Sequence, residues 1–145
     1  MTAFGTPLEA DIELVERDML VNYLGMPRVA RAFVPTLMAN GGGTIVNILS
    51  LLALAPITIM SPRCASKAAA HSMTRALRHE LADSGVSVLG VYPWGMNTPM
   101  LASVDSPKAE PGDVACAVLD GVESDLDSER SSERYQRSLS GCSDS

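Results

Sequence analysis

The sequence predicts an α/β protein built on a parallel sheet, because helical and strand patterns alternate along the chain. Two nearly continuous apolar runs, 44–49 and 86–92, are rich in β-branched residues, which is typical of strands covered on both faces. A stretch with apolar residues at three- and four-residue steps precedes the first run, and an alanine- and leucine-rich helical stretch precedes the second. The short links favour parallel strands joined by a right-handed crossover.

The first helical pattern runs from about residue 7 to Asn40. Thr6, Pro7 and Glu9 together form a helix-start signal, with Thr6 as the cap. Pro27 has no amide donor, so the helix should bend or restart near it. The glycines at 41–43 indicate a helix stop and turn, because a phosphate loop would need a following Gly-Lys-Ser/Thr and a helix, whereas a strand pattern follows.

The remaining elements follow the same logic. A second helix is expected from about residue 63 to residue 82, ending at Ser84-Gly85, and Pro93 ends the second strand. A third helix is expected from Gly112 to about Glu123. We therefore expect one domain over residues 1–123. The serine-rich, charged residues 124–145 contain almost no apolar side chains, which predicts a disordered tail.

Composition narrows the functional classes. A net charge of −6 argues against nucleic-acid binding. The longest apolar run, 49–60, is too short and too interrupted to span a bilayer, and no leader pattern is visible, so a cytoplasmic protein without a membrane partner is expected. Three widely spaced cysteines predict neither disulfides nor zinc binding, and His71 and His79 have no partners at metal-ligand spacing, so no metal is expected.

Polar residues whose side chains can take part in catalysis or binding lie at the ends of the predicted strands. Ser50 ends the first strand, and residues 93–98 follow the second. Open parallel sheets bind ligands beyond the carboxyl ends of their strands, so these segments should share one edge. Lys67 lies on the first turns of the second helix, and Asn22 lies in the first helix.

Several segments, taken in order and in register, resemble short-chain dehydrogenases/reductases. They are residues 21–25, 42–50, 65–69 (Ala65-Ser66-Lys67-Ala68-Ala69), 77–81 and 91–100. The resemblance covers about residues 7–123 and implies a Rossmann-type fold. It also implies hydride transfer between NAD or NADP and a small-molecule alcohol or carbonyl substrate.

The resemblance assigns a role to each matching residue. It implies that Ser50 polarises the substrate oxygen and that Lys67 lowers the pKa of a tyrosine and holds the nicotinamide ribose. It implies that Asn22 anchors the water of a proton relay, although an asparagine inside a kinked helix could equally cap or bridge backbone groups. Pro93, Met96 and Thr98 match the segment that grips the nicotinamide carboxamide.

Two departures from the family pattern affect this site. Arg63, thirteen residues after Ser50 and four before Lys67, occupies the place of the proton-exchanging tyrosine. Arginine stays protonated and cannot shuttle a proton. The family's Pro-Gly is Pro93-Trp94 here, so Trp94 either lines a substrate pocket, packs, or obstructs the nicotinamide.

A third departure concerns the cofactor. No glycine-rich strand–turn–helix precedes residue 7, so the fold is expected to be a Rossmann-type sheet without its N-terminal dinucleotide-binding half. This chain alone should then bind a dinucleotide poorly. Three interpretations stay open: an impaired oxidoreductase, a non-catalytic interaction module, and an incomplete gene product.

The two long helices suggest association. In the family these helices pair between subunits. Here they carry apolar or small faces, formed by Val29, Phe33, Leu37, Ala65, Ala68, Ala69 and Ser72. A homo-oligomer formed through helices 9–39 and 63–82 is therefore expected.

Overall fold

Helices and strands alternate along the described chain. The computed structural model describes residues 4–102 and 104–123. Its main elements, in order, are helix α1 (Ile12–Met19), a π-helical segment (Leu20–Leu24), helix α2 (Gly25–Ala39), strand β1 (Gly43–Ile48), helix α3 (Ser61–Glu80), strand β2 (Val86–Val91) and helix α4 (Pro111–Glu123). The predicted α/β order is confirmed, and the predicted tail at 124–145 lies outside the described residues.

The first helix begins at Ile12, later than the Thr6 signal predicts, so that prediction was wrong. The Thr6 hydroxyl donates to Glu9 Oε2 at 2.9 Å within a separate turn. The N-cap of α1 is Asp11, whose Oδ1 accepts the Glu13 amide at 2.9 Å. Because Thr and Asp both cap helices, the local pattern alone could not decide between them.

The helical path is irregular just before Pro27. The amide of Gly25 donates to Leu20 O, five residues back, which is the π-helical pattern. The restart expected near Pro27 therefore occurs at Gly25. Pro27 lies in the first turn of α2, where a missing amide donor is tolerated.

Strands β1 and β2 pair in parallel, and α3 connects them. Gly43 lies opposite Val86, and Ile48 lies opposite Val91. Strand β2 is buried apart from Ser87, whereas β1 is only half-buried and Ile48 is 49% exposed. The expectation of two fully covered strands was thus wrong for β1, because within the described part of the chain only β2 flanks it.

The apolar core lies between α2, α3 and the sheet. Its buried members are Ala30, Leu77, Leu81, Val86 and Val88. A second cluster of Leu49, Ala70 and Tyr92 packs where the strands end. The carboxyl ends of the strands are thereby fixed against α3, which is where the site forms.

The glycine run forms the turn between α2 and β1, as the sequence predicts. Gly41 and Gly42 have φ angles of +87° and +117°, which L side chains rarely adopt. The Gly42 amide donates to Leu37 O at 2.9 Å and closes the end of α2. A Cβ on Gly42 would collide with Gly85 O, so this position requires glycine.

Across residues 4–102 and 104–123, no helix is both long and apolar enough to cross a membrane. In the same residues, no three His, Cys, Asp or Glu side chains are placed to hold a metal ion together. Cys64 is buried and Cys116 is exposed, and both thiols are free; Cys142 lies beyond the described part.

Candidate active site

A cleft of about 150 Å³ lies at the carboxyl ends of β1 and β2. It is lined by every residue that the sequence places in the site except Asn22, namely Ser50, Arg63, Lys67, Pro93, Met96 and Thr98. Apolar side chains complete the walls, among them Leu52, Met60, Trp94 and Met100. Residues from two strand ends and one helix therefore meet where ligands bind in open parallel sheets.

Ser50 joins the two strand ends. Its side chain is buried, and its Oγ accepts the Leu52 amide at 3.2 Å. The same hydroxyl donates to Pro93 O at 3.5 Å, which is long for an O–H···O bond. The hydroxyl proton is thus weakly held and can turn to an oxygen in the cleft.

Lys67 lines the cleft. Its Nζ donates to Ile48 O at 2.9 Å. Burial lowers the pKa of Lys67 from 10.5 to about 8, with a further lowering from the charge of Arg63, while Asp18 acts in the opposite sense. A substantial fraction of this amine is therefore unprotonated at mildly basic pH.

Arg63 lies in the first turn of α3, one helical turn before Lys67. Its side chain is half-buried and lines the cleft. The guanidinium is cationic at any working pH, so it can bind an anion but cannot exchange a proton. The residue at the expected tyrosine place thus supplies charge rather than acid–base chemistry.

Backbone hydrogen bonds connect the loop after β2 to the segment before α4. The amides of Asn97 and Ala109 donate to Ala109 O and Gly95 O, each at 2.9 Å. This pairing positions Met96 and Thr98 on the cleft wall. Trp94 is 51% exposed and lines the same cleft, so it is a wall residue rather than a buried packing residue.

Asn22 does not line the cleft. It lies in the π-helical segment, and its Nδ2 donates to Ser66 Oγ at 3.1 Å. Ser66 is fully buried, and its hydroxyl donates to Arg63 O at 2.9 Å. Asn22 therefore supports the backbone that carries Arg63 and Lys67.

Two residues that shape the site were not singled out from the sequence. Ser66 belongs to the motif that carries Lys67, but its link to Asn22 is a long-range contact. Asp18 is buried in α1, with its charge close enough to favour the protonated form of Lys67. The available signal for Asp18 was a charge at helical spacing between Val15 and Asn22, on the apolar face of α1.

The family model for the short chain dehydrogenases matches residues 1–109. The chain is 38% identical over 96 residues to a 2,5-dichloro-2,5-cyclohexadiene-1,4-diol dehydrogenase of Sphingobium indicum, with 66% of this chain and 38% of that protein covered. It is 34% identical over 114 residues to an uncharacterized oxidoreductase of Staphylococcus aureus, which covers 75% of this chain and 49% of that protein.

Solved structures give the same likeness. A short chain dehydrogenase from Burkholderia cenocepacia in complex with NADP superimposes with a TM-score of 0.78 at 42% identity, over 82% of this chain and 50% of that one. One from Sphingobium yanoikuyae in complex with NADPH gives 0.76 at 29% identity, over 85% and 50%. The chain thus spans about half of these structures, and two fifths to half of the curated relatives above.

Proposed function

Because this chain belongs to the short-chain dehydrogenase family, we propose that it descends from NAD(P)-dependent oxidoreductases and that Arg63 impairs its hydride transfer. The substrates of such an enzyme are small alcohols or carbonyl compounds. The observation that carries the proposal is the placement of Ser50, Arg63 and Lys67 around one cleft. Their spacing along the chain matches the family's serine, tyrosine and lysine, with arginine in the tyrosine's place.

The remaining groups suit a carbonyl ligand. The loosely held Ser50 hydroxyl can donate to a substrate oxygen in the cleft. Lys67 and Arg63 place positive charge beside that oxygen, which favours developing negative charge on it. No cleft residue of the described chain supplies the tyrosine hydroxyl that would exchange the proton. Tyr92 is buried, and its hydroxyl is hydrogen-bonded to His71 Nδ1 at 2.7 Å.

The described residues fit one end of the cofactor. Lys67, Pro93, Met96 and Thr98 would hold the nicotinamide end, which supplies or accepts the hydride when bound. A pyrophosphate is bound where a glycine-rich turn leads from a strand into a helix. The glycine run at 41–43 leads from a helix into a strand instead, so it does not fit the pyrophosphate.

Two measurements test the proposal. Titration of the purified chain with NADPH, followed by fluorescence, should show no saturation at micromolar concentration. NADPH is the first form to test because two similar structures hold NADP or NADPH. Saturable micromolar binding would show that this chain alone supplies the cofactor site. It would contradict the expectation that the chain alone binds a dinucleotide poorly.

The proposed effect of Arg63 on hydride transfer is tested in a chain that holds the cofactor. In a fusion that places a relative's dinucleotide-binding segment before residue 1, Arg63→Tyr should raise turnover of a secondary-alcohol panel by about 10² or more. Arg75→Tyr, on the exposed side of α3, is the matched control and should leave turnover unchanged. Equal turnover with and without Arg63→Tyr would reject the positional match.

A second candidate, a non-catalytic interaction module, is favoured by the surface of α2 and α3. Val29 and Phe33 are 57% and 61% exposed on α2. Ala65, Ala68 and Ser72 are exposed on α3. These exposed apolar and small side chains are suited to pairing with a second copy of the chain.

A further inference from the structure

The cleft is lined by a primary amine and a guanidinium, and the proposed hydride transfer does not use the amine as a nucleophile. Lys67 Nζ and Arg63 lie one helical turn apart on α3, and both line the cleft. The buried Ser50 hydroxyl faces the same space. We propose that Lys67 forms an imine with short 2-oxo acids whose carboxylate is held by Arg63.

The cleft has room for a short ligand. A volume of about 150 Å³ equals that of a protein cavity known to hold a ligand of about six non-hydrogen atoms. Glyoxylate and pyruvate, the shortest 2-oxo acids, are of that size. Met60, Met96 and Met100 form apolar walls that suit a short aliphatic tail.

The charges in the cleft favour a carboxylate. A guanidinium presents five donors in a fixed fork and can bind a carboxylate with two parallel bonds. The positive charge of Arg63 already acts on Lys67, so the two cationic groups share one local field. A carboxylate can pair with the charge of Arg63 in this field, whereas a neutral carbonyl compound cannot.

Lys67 has the chemical state that imine formation needs. With a pKa of about 8, it is unprotonated near neutral pH about 10² times more often than an ordinary lysine. The neutral Nζ attacks the carbonyl carbon, and a C–N bond forms. The two hydrogens of the amine leave with the carbonyl oxygen as water, and the C=N bond remains. No oxidant, reductant or bound cofactor takes part, so the inference does not depend on the proposed oxidoreductase function.

The test uses reductive trapping on the full chain. Purified protein is incubated with glyoxylate and cyanoborohydride, and modified residues are mapped by peptide mass spectrometry. The chain has two lysines, Lys67 and Lys108, so the background is small. We expect Lys67 to be labelled at least about 10 times faster than Lys108 near neutral pH.

Two comparisons distinguish an effect of the cleft on Lys67 labelling from the effect of a lowered pKa alone. An α-amino group ordinarily has a pKa of about 8, so the α-amine of the purified chain serves as the reference for an amine of the same basicity. The labelling ratio of Lys67 to the α-amine should be higher with glyoxylate than with acetaldehyde. Arg63→Gln should remove this preference, while Arg75→Gln, on the exposed side of α3, should retain it.

A measurement without variants covers the case in which a variant fails to fold. Acetate carries the carboxylate but no reactive carbonyl, so it should protect Lys67 from acetaldehyde and leave the α-amine unprotected. Equal labelling of Lys67 and Lys108 would overturn the imine proposal. Labelling of Lys67 without any preference for glyoxylate, or without protection by acetate, would overturn the role of Arg63.

Discussion

Arg63 and Lys67 carry like charges on one face of α3, and like charges at this spacing disfavour a helix. The structure places the carboxylate of Asp18, from α1, close enough to act on Lys67 in the opposite sense. The amine also donates to Ile48 O, which satisfies part of its hydrogen-bonding capacity. The basicity of Lys67 therefore depends on two charged residues as well as on its burial.

This dependence predicts opposite pKa changes in two variants. Arg63→Gln removes a charge that disfavours the ammonium, so the pKa of Lys67 should rise above about 8. Asp18→Asn removes a charge that favours it, so the pKa should fall. In the parent chain half of Lys67 is unprotonated near pH 8, and the unprotonated fraction increases with pH.

The measurement is the pH dependence of Lys67 acylation, read by peptide mass spectrometry. Lys108 serves as the internal reference, because its reactivity should keep the same pH profile in all three proteins. A shift of Lys67 in the same direction in both variants would show that burial changes, rather than charge, control its pKa.

The polar residues that line the cleft were predicted from the sequence, but the contacts that position them were not. The carboxyl ends of the two strands predicted that Ser50 and residues 93–98 share one edge of the sheet. The family resemblance added Arg63 and Lys67 to that site. The Asn22–Ser66 bond and the influence of Asp18 depend on how α1 packs against α3. No local pattern encodes that packing, so the sequence alone could not predict them.

At the level of elements, apolar runs and alanine-rich helical stretches predicted β1, α3, β2 and α4 to within a few residues. The start of α1 was missed because the Thr6 turn carries the same chemistry as a helix cap. The partial exposure of β1 was missed because a strand's pattern shows what it can bury, not which neighbours are present. The π-helical segment has no sequence signature beyond the nearby Pro27.

In the turn between α2 and β1, one added methyl group should strongly lower the stability of the fold. Gly42→Ala should lower the free energy of unfolding by about 3 kcal/mol, since the Cβ meets Gly85 O and φ is +117°. Gly41→Ala is the matched control: φ is +87° and nothing lies within 4 Å, so it should cost only about 1–2 kcal/mol. Urea denaturation measures both, and equal losses would contradict a close contact at residue 42.

At the scale of the whole molecule, residues of α2 and α3 line a groove of about 620 Å³. Apolar and small side chains line much of it, among them Ala30, Val34, Pro35, Met73 and Leu77. The exposed Phe33 lies on the same helix. Such a face favours self-association over solvation.

We therefore expect a dimer or larger species that depends on Phe33. Phe33→Glu should weaken self-association by about 10-fold or more, because an apolar anchor would be replaced by a charge. Leu119→Glu is the control, since Leu119 is 62% exposed but belongs to a different helix, α4. Sedimentation velocity at micromolar concentration distinguishes them, and a monomeric parent chain would reject the expectation.

Within residues 4–102 and 104–123, β1 pairs on one side only, and this has a consequence for amide hydrogen exchange with solvent. The amides of Gly43 and Leu49 donate to Gly85 O and Val91 O on the β2 side. Because successive residues of a strand point their backbone groups to opposite edges, the amides of residues 44, 46 and 48 face away from β2. In deuterated water, slow and fast amide exchange should therefore alternate residue by residue along β1, and the Ile48 carbonyl on the fast side is the one that Lys67 occupies.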